Sequence, residues 1–379
     1  MSKIRSVEVF PVGVRVRSTF TFASGSAGGA GDEVILIYVK ITDDDGAVGW
    51  GECRPIRQWS YETPESAVST LRRYLGPAVI GHDVADRAGL HAKMNAAIGR
   101  GTSTGQPIAK SAIDMAVHDL LAKRAGLPLR EFLGGSRERR DLSISFTITG
   151  HTVEAATQQM QAAQAEGFQN FNFKAAVEPK TDIAVATALK RIIAEGGFLW
   201  SDANQGFDIV GAKLVAHAFE EIGVDILEQP LPADRFTGMA ELRRATRIPL
   251  AVDEASVSPN DFLNYVTAGL VDYLIIKVTR SGGLWPSLQQ IAIAQAAGLP
   301  MLVSGLTDGL LTKMAACQLA SVFGGTGPVA LNGTQFIEEE ALYPAKSDVE
   351  SRGRIRLNDV PGIGVEPDAD YLKRSARDI

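Results

Sequence analysis

From about residue 142 onward the chain repeats one rhythm, in which a short apolar run is followed by a helical stretch and then by another apolar run. The runs fall at 142–148, 171–174, 198–202, 225–228, 250–253, 273–278, 301–304 and 329–332. Between them, stretches such as 153–166 and 286–297 read as helical. Short runs bounded in this way fit strands buried on both faces, which only a parallel sheet covered by helices provides. Strand and crossover repeated around a full circuit predict a closed parallel barrel. That prediction constrains chemistry too, because all strands of such a barrel end at one mouth.

Five of these runs place a polar residue at their C-terminal end: Lys174, Asp202, Glu228, Asp253 and Lys277, separated by 28, 26, 25 and 24 residues. Each gap is one strand–helix unit, so the barrel turns five distant residues into one cluster. Three converging carboxylates without His or Cys form an all-oxygen donor set suited to Mg²⁺ or Mn²⁺. Without a cation they would repel one another and raise their own pKa values. The lysines sit one strand outside the carboxylates on either side. A free lysine, with a pKa of ~10.4, is a poor base at neutral pH, and burial beside a cation is expected to lower that value. The metal would then stabilise the enediolate left when a proton departs from the carbon next to a carboxylate. A single Asp or Lys at a strand end is ordinarily a solvated rim residue. Five in the order Lys, Asp, Glu, Asp, Lys, one unit apart, point to a site.

The first part of the chain has a different character. Residues 7–10, 34–39 and 48–52 read as strands of an antiparallel sheet, with Asp43-Asp44-Asp45-Gly46 as a turn. The acidic trio lacks the later ligands of an EF-hand, so a solvated hairpin is expected. The Gly- and Ser-rich stretch 18–31, with Phe20 and Phe22, reads either as a mobile lid or as a plain surface loop. Residues 63–125 read as helices, ended by Gly126 and Pro128, and Gly134-Gly135 marks a boundary. After about residue 342 turn-rich β character returns. The expected organisation is a capping domain over 1–130, a barrel over 131–340 and a segment 341–379 that rejoins the cap.

With 379 residues, 45% of them hydrophobic, and a net charge of −6, the chain has room for a buried site and no basic excess for nucleic acid or a membrane surface. Cys53 and Cys317 lie far apart and outside any metal-binding spacing, which suits two reduced thiols. The N-terminus alternates like a strand, and no apolar run reaches about 18 residues. A cytoplasmic location is the expectation.

Several motifs resemble the enolase superfamily in its muconate-lactonizing subgroup, across nearly the whole chain. They are Gly49-Trp50-Gly51-Glu52, the helix 110–120, Asp202-Ala203-Asn204-Gln205, Glu228-Gln229-Pro230, Asp253-Glu254, and Lys277 followed by Gly282-Gly283. Gly333-Thr334-Gln335 and Pro361-Gly362-Ile363-Gly364 also match. The resemblance implies an α/β fold: a modified (β/α)₇β TIM barrel under an α+β cap built from both chain ends. It implies Mg²⁺ on Asp202, Glu228 and Asp253, with Mn²⁺ as a substitute, and acid/base roles for Lys174 and Lys277. It places Asn204 beside the metal and has the loops around Phe20 and Phe22 and around 54–61 cover a small-molecule carboxylate. Relatives of this kind are commonly homo-oligomers.

The chain departs from the family pattern at several points. The usual Lys-x-Lys of the second barrel strand is here Asn172-Phe173-Lys174, so a partner of the base is replaced. Arg280 stands where simpler side chains are common and is expected to be a surface charge. The eighth strand, Leu331-Asn332-Gly333-Thr334-Gln335, lacks the acidic pair that dipeptide epimerases use for a free ammonium. Gln335 falls where muconate-lactonizing enzymes carry Glu. Two flanking lysines favour a racemase or epimerase of an N-substituted amino acid or similar α-substituted acid. A muconate-type cycloisomerase and a syn-dehydratase such as an o-succinylbenzoate synthase stay open, and a vestigial binding protein would lack some of the five residues. Asn204, Phe20, Arg57, Tyr61 and Asn172 are the candidate substrate-binding residues. Arg54 or Arg57 would hold a distal anion, and Trp59, Tyr61, Phe20 and Phe22 would pack on an apolar or cationic part.

Overall fold

A computed structural model describes residues 2–101, 103–176, 178–323, 327–331, 333–344 and 350–379; Asn332, the last residue of the eighth expected strand, lies outside them. Seven parallel strands form one curled sheet: Ser145–Ile148, Asn170–Lys174, Leu199–Asp202, Ile226–Glu228, Leu250–Val252, Tyr273–Lys277 and Met301–Ser304, each paired with the next in chain order. The eighth strand is reduced to bridges, in which Val329 pairs with Ile144 and Ala330 with Ser304, bringing the two ends of the sheet together. Trp200, Ile226, Ala251, Ile275, Leu302 and Ala330 pack as an inner layer, so the barrel is a filled core and not a pore.

Register places the site. Lys174 is opposite Asp202, Asp202 opposite Glu228, and Lys277 opposite Ser304. Outside the strands lie helices such as Val153–Ala165, Pro179–Ile192 and Ile209–Ile222. Their starts are fixed by side chains that accept the free backbone N–H groups of the first turn: Thr152 from Ala155, Glu178 from Thr181 and Asp208 from Gly211.

The cap is an antiparallel sheet of strands Ile4–Val16, Glu33–Asp43 and Val48–Cys53, joined at its edge by Ile337–Glu338. The buried helix Pro107–Arg124 crosses it so closely that a Cβ on Gly49 or Gly51 would overlap the carbonyl oxygens of Ala116 and Ala112. Asp119 of this helix accepts Trp50 N at 2.9 Å and Ile363 N at 2.8 Å, tying the sheet and the C-terminal turn to one carboxylate. Near the C-terminus, Arg377 N donates to Pro11 O at 2.7 Å, so the tail returns to the first strand. The 43–46 turn is a hairpin turn, as expected, with Arg124 bridging Asp43 and Asp45. Stretch 18–31, whose composition offers little order of its own, instead carries a short hairpin, Thr21–Phe22 against Gly25–Ser26. Tertiary contacts hold it: Phe20 lies edge-on to Phe336 at 4.7 Å, and Thr21 Oγ1 meets His151 Nε2 at 2.8 Å.

Candidate active site

The five expected strand-end residues converge at the C-terminal mouth of the barrel. One oxygen from each of Asp202, Glu228 and Asp253 lies within 4.8 Å of the others. All three carboxylates are buried. Asp202 Oδ2 accepts Lys174 Nζ at 2.6 Å, and Asp202 Oδ1 accepts Asn204 N at 3.0 Å. Asp253 Oδ2 accepts Lys277 Nζ. Both Glu228 oxygens are buried with no hydrogen-bond partner among the described residues. Burial, and then the neighbouring Asp202 and Asp253, push the Glu228 carboxyl well above the usual carboxylate range. An orphaned carboxylate between two others, all oxygen donors, is what a divalent cation satisfies, so the residues fit Mg²⁺ or Mn²⁺.

Lys277 stands in a strongly acidic setting. Burial acts to lower Lys277, but Asp253, Glu228, Asp202 and Glu254 outweigh it and raise its pKa above that of an ordinary lysine. The protein groups alone therefore hold an ammonium, and lowering requires charge added at the triad. Each ammonium also sits under an aromatic ring from the cap. Phe20 lies over Lys174, with 5.1 Å from Nζ to the ring centroid, and Trp59 lies over Lys277 at 4.6 Å.

Arg280 is not a surface charge. It is 2% exposed, and Nη1 donates to the carbonyl of Asp253 at 2.8 Å and also to Asp253 Oδ1. Its Nη2 donates to Ile275 O at 2.7 Å. The reason is the turn Val278–Ser281, which follows the Lys277 strand and folds the side chain back under the barrel mouth. Sequence alone shows a cation three positions after Lys277 and no direction for it.

Among the candidate substrate residues, Phe20, Asn172 and Asn204 line one small chamber of about 20 Å³ with Lys174, Asp202 and Lys277; Phe22, Ile56, Trp59 and the segment 304–306 complete it. Asn172 Oδ1 accepts Thr147 Oγ1 at 2.9 Å. Asn204 donates from Nδ2 to Glu254 Oε1 at 3.1 Å. Arg57 and Tyr61 are not brought to this chamber. Both point outward, Tyr61 being 62% exposed with its hydroxyl donating to Thr104 O at 3.3 Å. They sit on the outer side of the 54–61 loop, whose inner side chains are Arg54, Ile56 and Trp59. Nor is Arg54 available to a distal anion. It is buried and donates to Thr307 O at 2.6 Å, to Thr307 Oγ1 and to Ala27 O at 2.6 Å, which staples the lid hairpin to the loop after Met301–Ser304. Gln335 donates from Nε2 to Thr147 O at 3.0 Å.

Two residues of the site carry no signal in sequence reading beyond their motif. Gln229, with φ of 39°, accepts Asp253 N at 2.9 Å and Ala255 N at 3.1 Å, so it sets the backbone that presents Asp253. Asp308 is buried and accepts Leu306 N at 2.8 Å, fixing the turn that carries Leu306 into the chamber. A strained turn and a loop reversal are legible only in three dimensions.

The N-terminal domain profile of the mandelate racemase / muconate lactonizing enzyme family matches residues 4–134, and the "enolase C-terminal domain-like" profile matches residues 154–371. An N-succinyl-L-Arg/Lys racemase from Bacillus cereus is 26% identical over 372 residues, covering 98% of this chain and 97% of that one. Its crystal structure superposes with a TM-score of 0.89 at 25% identity, covering 99% of this chain and 98% of that one. Muconate cycloisomerase 1-1 from Acinetobacter lwoffii is 29% identical over 348 residues, or 90% of this chain and 89% of that one. The fold is shared with a muconate lactonizing enzyme from Pseudomonas fluorescens in complex with muconolactone, at a TM-score of 0.89, 24% identity and coverage of 99% and 100%. Two profiles that together span the cap and the barrel, and relatives aligned from end to end, identify the chain as a member of the mandelate racemase / muconate lactonizing enzyme family of the enolase superfamily, and as an enzyme of its isomerase class.

Proposed function

We propose that the protein is a Mg²⁺-dependent racemase or epimerase that removes the α-proton of a carboxylate substrate and returns it to the opposite face. Asp202, Glu228 and Asp253 are the metal ligands, and Lys174 and Lys277 the two bases. One observation carries this reading. The two lysines approach the triad from opposite sides, each ion-paired to a different outer carboxylate, Lys174 to Asp202 and Lys277 to Asp253, with Glu228 between them.

When bound, Mg²⁺ supplies positive charge against the charge that develops on the substrate carboxylate as the α-proton leaves. The remaining work falls to the chain. A cation held by Asp202, Glu228 and Asp253 would share the charge that Asp202 offers Lys174 and Asp253 offers Lys277, which would leave one amine able to accept a proton. Lys174 Nζ serves one face of the α-carbon and Lys277 Nζ the other. Phe20 and Trp59 exclude water from the amines and restrict their swing. A cycloisomerase needs one lysine as acid. The symmetric placement of two, and the end-to-end similarity to a racemase, favour proton transfer across both faces.

The test is α-proton exchange in D₂O with Mg²⁺ and a panel of enantiopure α-substituted carboxylates. Wild-type protein should exchange and invert both enantiomers, and a chelator should stop both. Lys174→Ala and Lys277→Ala should each abolish exchange of one enantiomer. Full two-sided inversion by either variant would overturn the assignment.

A further inference from the structure

We infer that the substrate is a monoanion whose remaining substituent is uncharged and apolar; this rests on the proposed binding of the reacting carboxylate at the triad. The wall facing the two lysines is built from Phe20, Phe22, Ile56 and Leu306, all buried, and the partly buried Trp59. A second carboxylate on the substrate would need a cation among them, and none of these five side chains is one. Lys174 and Lys277 serve the reacting carbon, Arg280 holds Asp253, and Arg54 is spent on Thr307 and Ala27. Arg57, the remaining guanidinium of that loop, points out to solvent.

A second substrate carboxylate against that wall would be buried without a counter-charge. A cationic substituent fares no better. Phe20 and Trp59 already present ring faces to the lysine ammoniums, and those ammoniums would repel it. The other polar side chains of the chamber, the Asn172 and Asn204 amides and the Ser304 hydroxyl, are neutral and suit an amide group or an ether oxygen.

A matched pair isolates the second charge. N-succinyl-L-phenylalanine and its analogue methylated only on the succinyl carboxylate are compared on the Mg²⁺-loaded protein. Affinity is read by calorimetry and α-proton exchange by NMR in D₂O. The monoanionic monoester should bind and exchange about 100-fold better, and Ile56→Arg should shift the preference toward the dianion. A trimethylammonium analogue of phenylalanine should bind no better than the dianion. Equal or stronger binding of the dianion or of the trimethylammonium compound by wild-type protein overturns the inference. A binding preference without exchange would sustain it while sinking the proton-transfer reading. Exchange without preference would do the reverse.

Discussion

Arg280 grips Asp253 by both its backbone carbonyl and its carboxylate, while Lys277 holds the other carboxylate oxygen. Burial acts to raise Asp253, but Lys277 and Arg280 outweigh it and keep the carboxyl below its usual value. Asp253 is thus ionised and aimed before any metal arrives. Replacing Arg280 by Met should weaken Mg²⁺ binding about 10–100-fold, the usual cost of losing a partner behind a ligand. Titration calorimetry checks this, with Arg280→Lys expected to recover part of the loss. Unchanged affinity in Arg280→Met would remove Arg280 from the metal site.

Glu228 behaves in the opposite way, buried with no partner for either oxygen among the described residues. In chelator, Glu228→Gln should be at least as stable as wild type, because a buried carboxyl that ionises only at a cost is replaced by a neutral amide. With Mg²⁺ the order should reverse. Wild type should gain about 2.7 kcal/mol at a hundredfold excess over Kd, and the variant little or nothing. Thermal melts with and without Mg²⁺ decide it, and an equal metal response in both proteins would exclude Glu228 as a ligand.

Gly283 and Asp114 lock the cap to the barrel. Gly283 has φ of 121°, and an added Cβ would overlap the Asp114 carboxylate, which accepts Leu284 N at 2.5 Å. Gly283→Ala should cost about 2–4 kcal/mol, from left-handed backbone strain plus overpacking. Adding Asp114→Ala should recover part of that cost, giving non-additive denaturation free energies. Strict additivity would mean that the two residues do not meet.

Glu62 supplies a pH dependence remote from the metal. Its carboxylate accepts Ile108 N at 2.7 Å and Ala109 N at 2.9 Å at the start of helix Pro107–Arg124. Burial pushes it up to about 7, against an ordinary 4.5, although these N–H groups and Lys110 act to lower it. With the folded value above the unfolded one, the contribution is fully present below about pH 4.5 and is lost as pH rises through 7. Stability of wild type relative to Glu62→Gln should therefore fall by on the order of 3 kcal/mol between pH 4.5 and 8. Urea denaturation at the two pH values measures it, and a difference that stays flat or rises would contradict the burial of a titrating Glu62.

Much of the molecule was legible in the chain. Spacing of 28, 26, 25 and 24 residues places Lys174, Asp202, Glu228, Asp253 and Lys277 in one cluster. It could do so because a parallel barrel maps equal chain intervals onto neighbouring positions at one mouth. Alternation and turn residues likewise placed the cap strands, whereas the close approach of a helix to Gly49 and Gly51 shows only in the fold.

What the tertiary structure decided is direction and company. Arg280 reads as a surface cation and proves to be buried against Asp253, because the turn after Lys277 folds it inward. Arg57 and Tyr61 read as substrate contacts and face solvent, while Ile56 and Trp59 of the same loop enter the chamber. Lys277 meets four carboxyl groups, from three strand ends and the residue after one of them, which raise it; the lowering expected beside a cation depends on charge added at the triad. Periodic backbone geometry is local and written into the order of residues. The facing of a loop side chain, and the charge it meets, depend on which distant segments pack against it, and those partners come together only when the fold is complete.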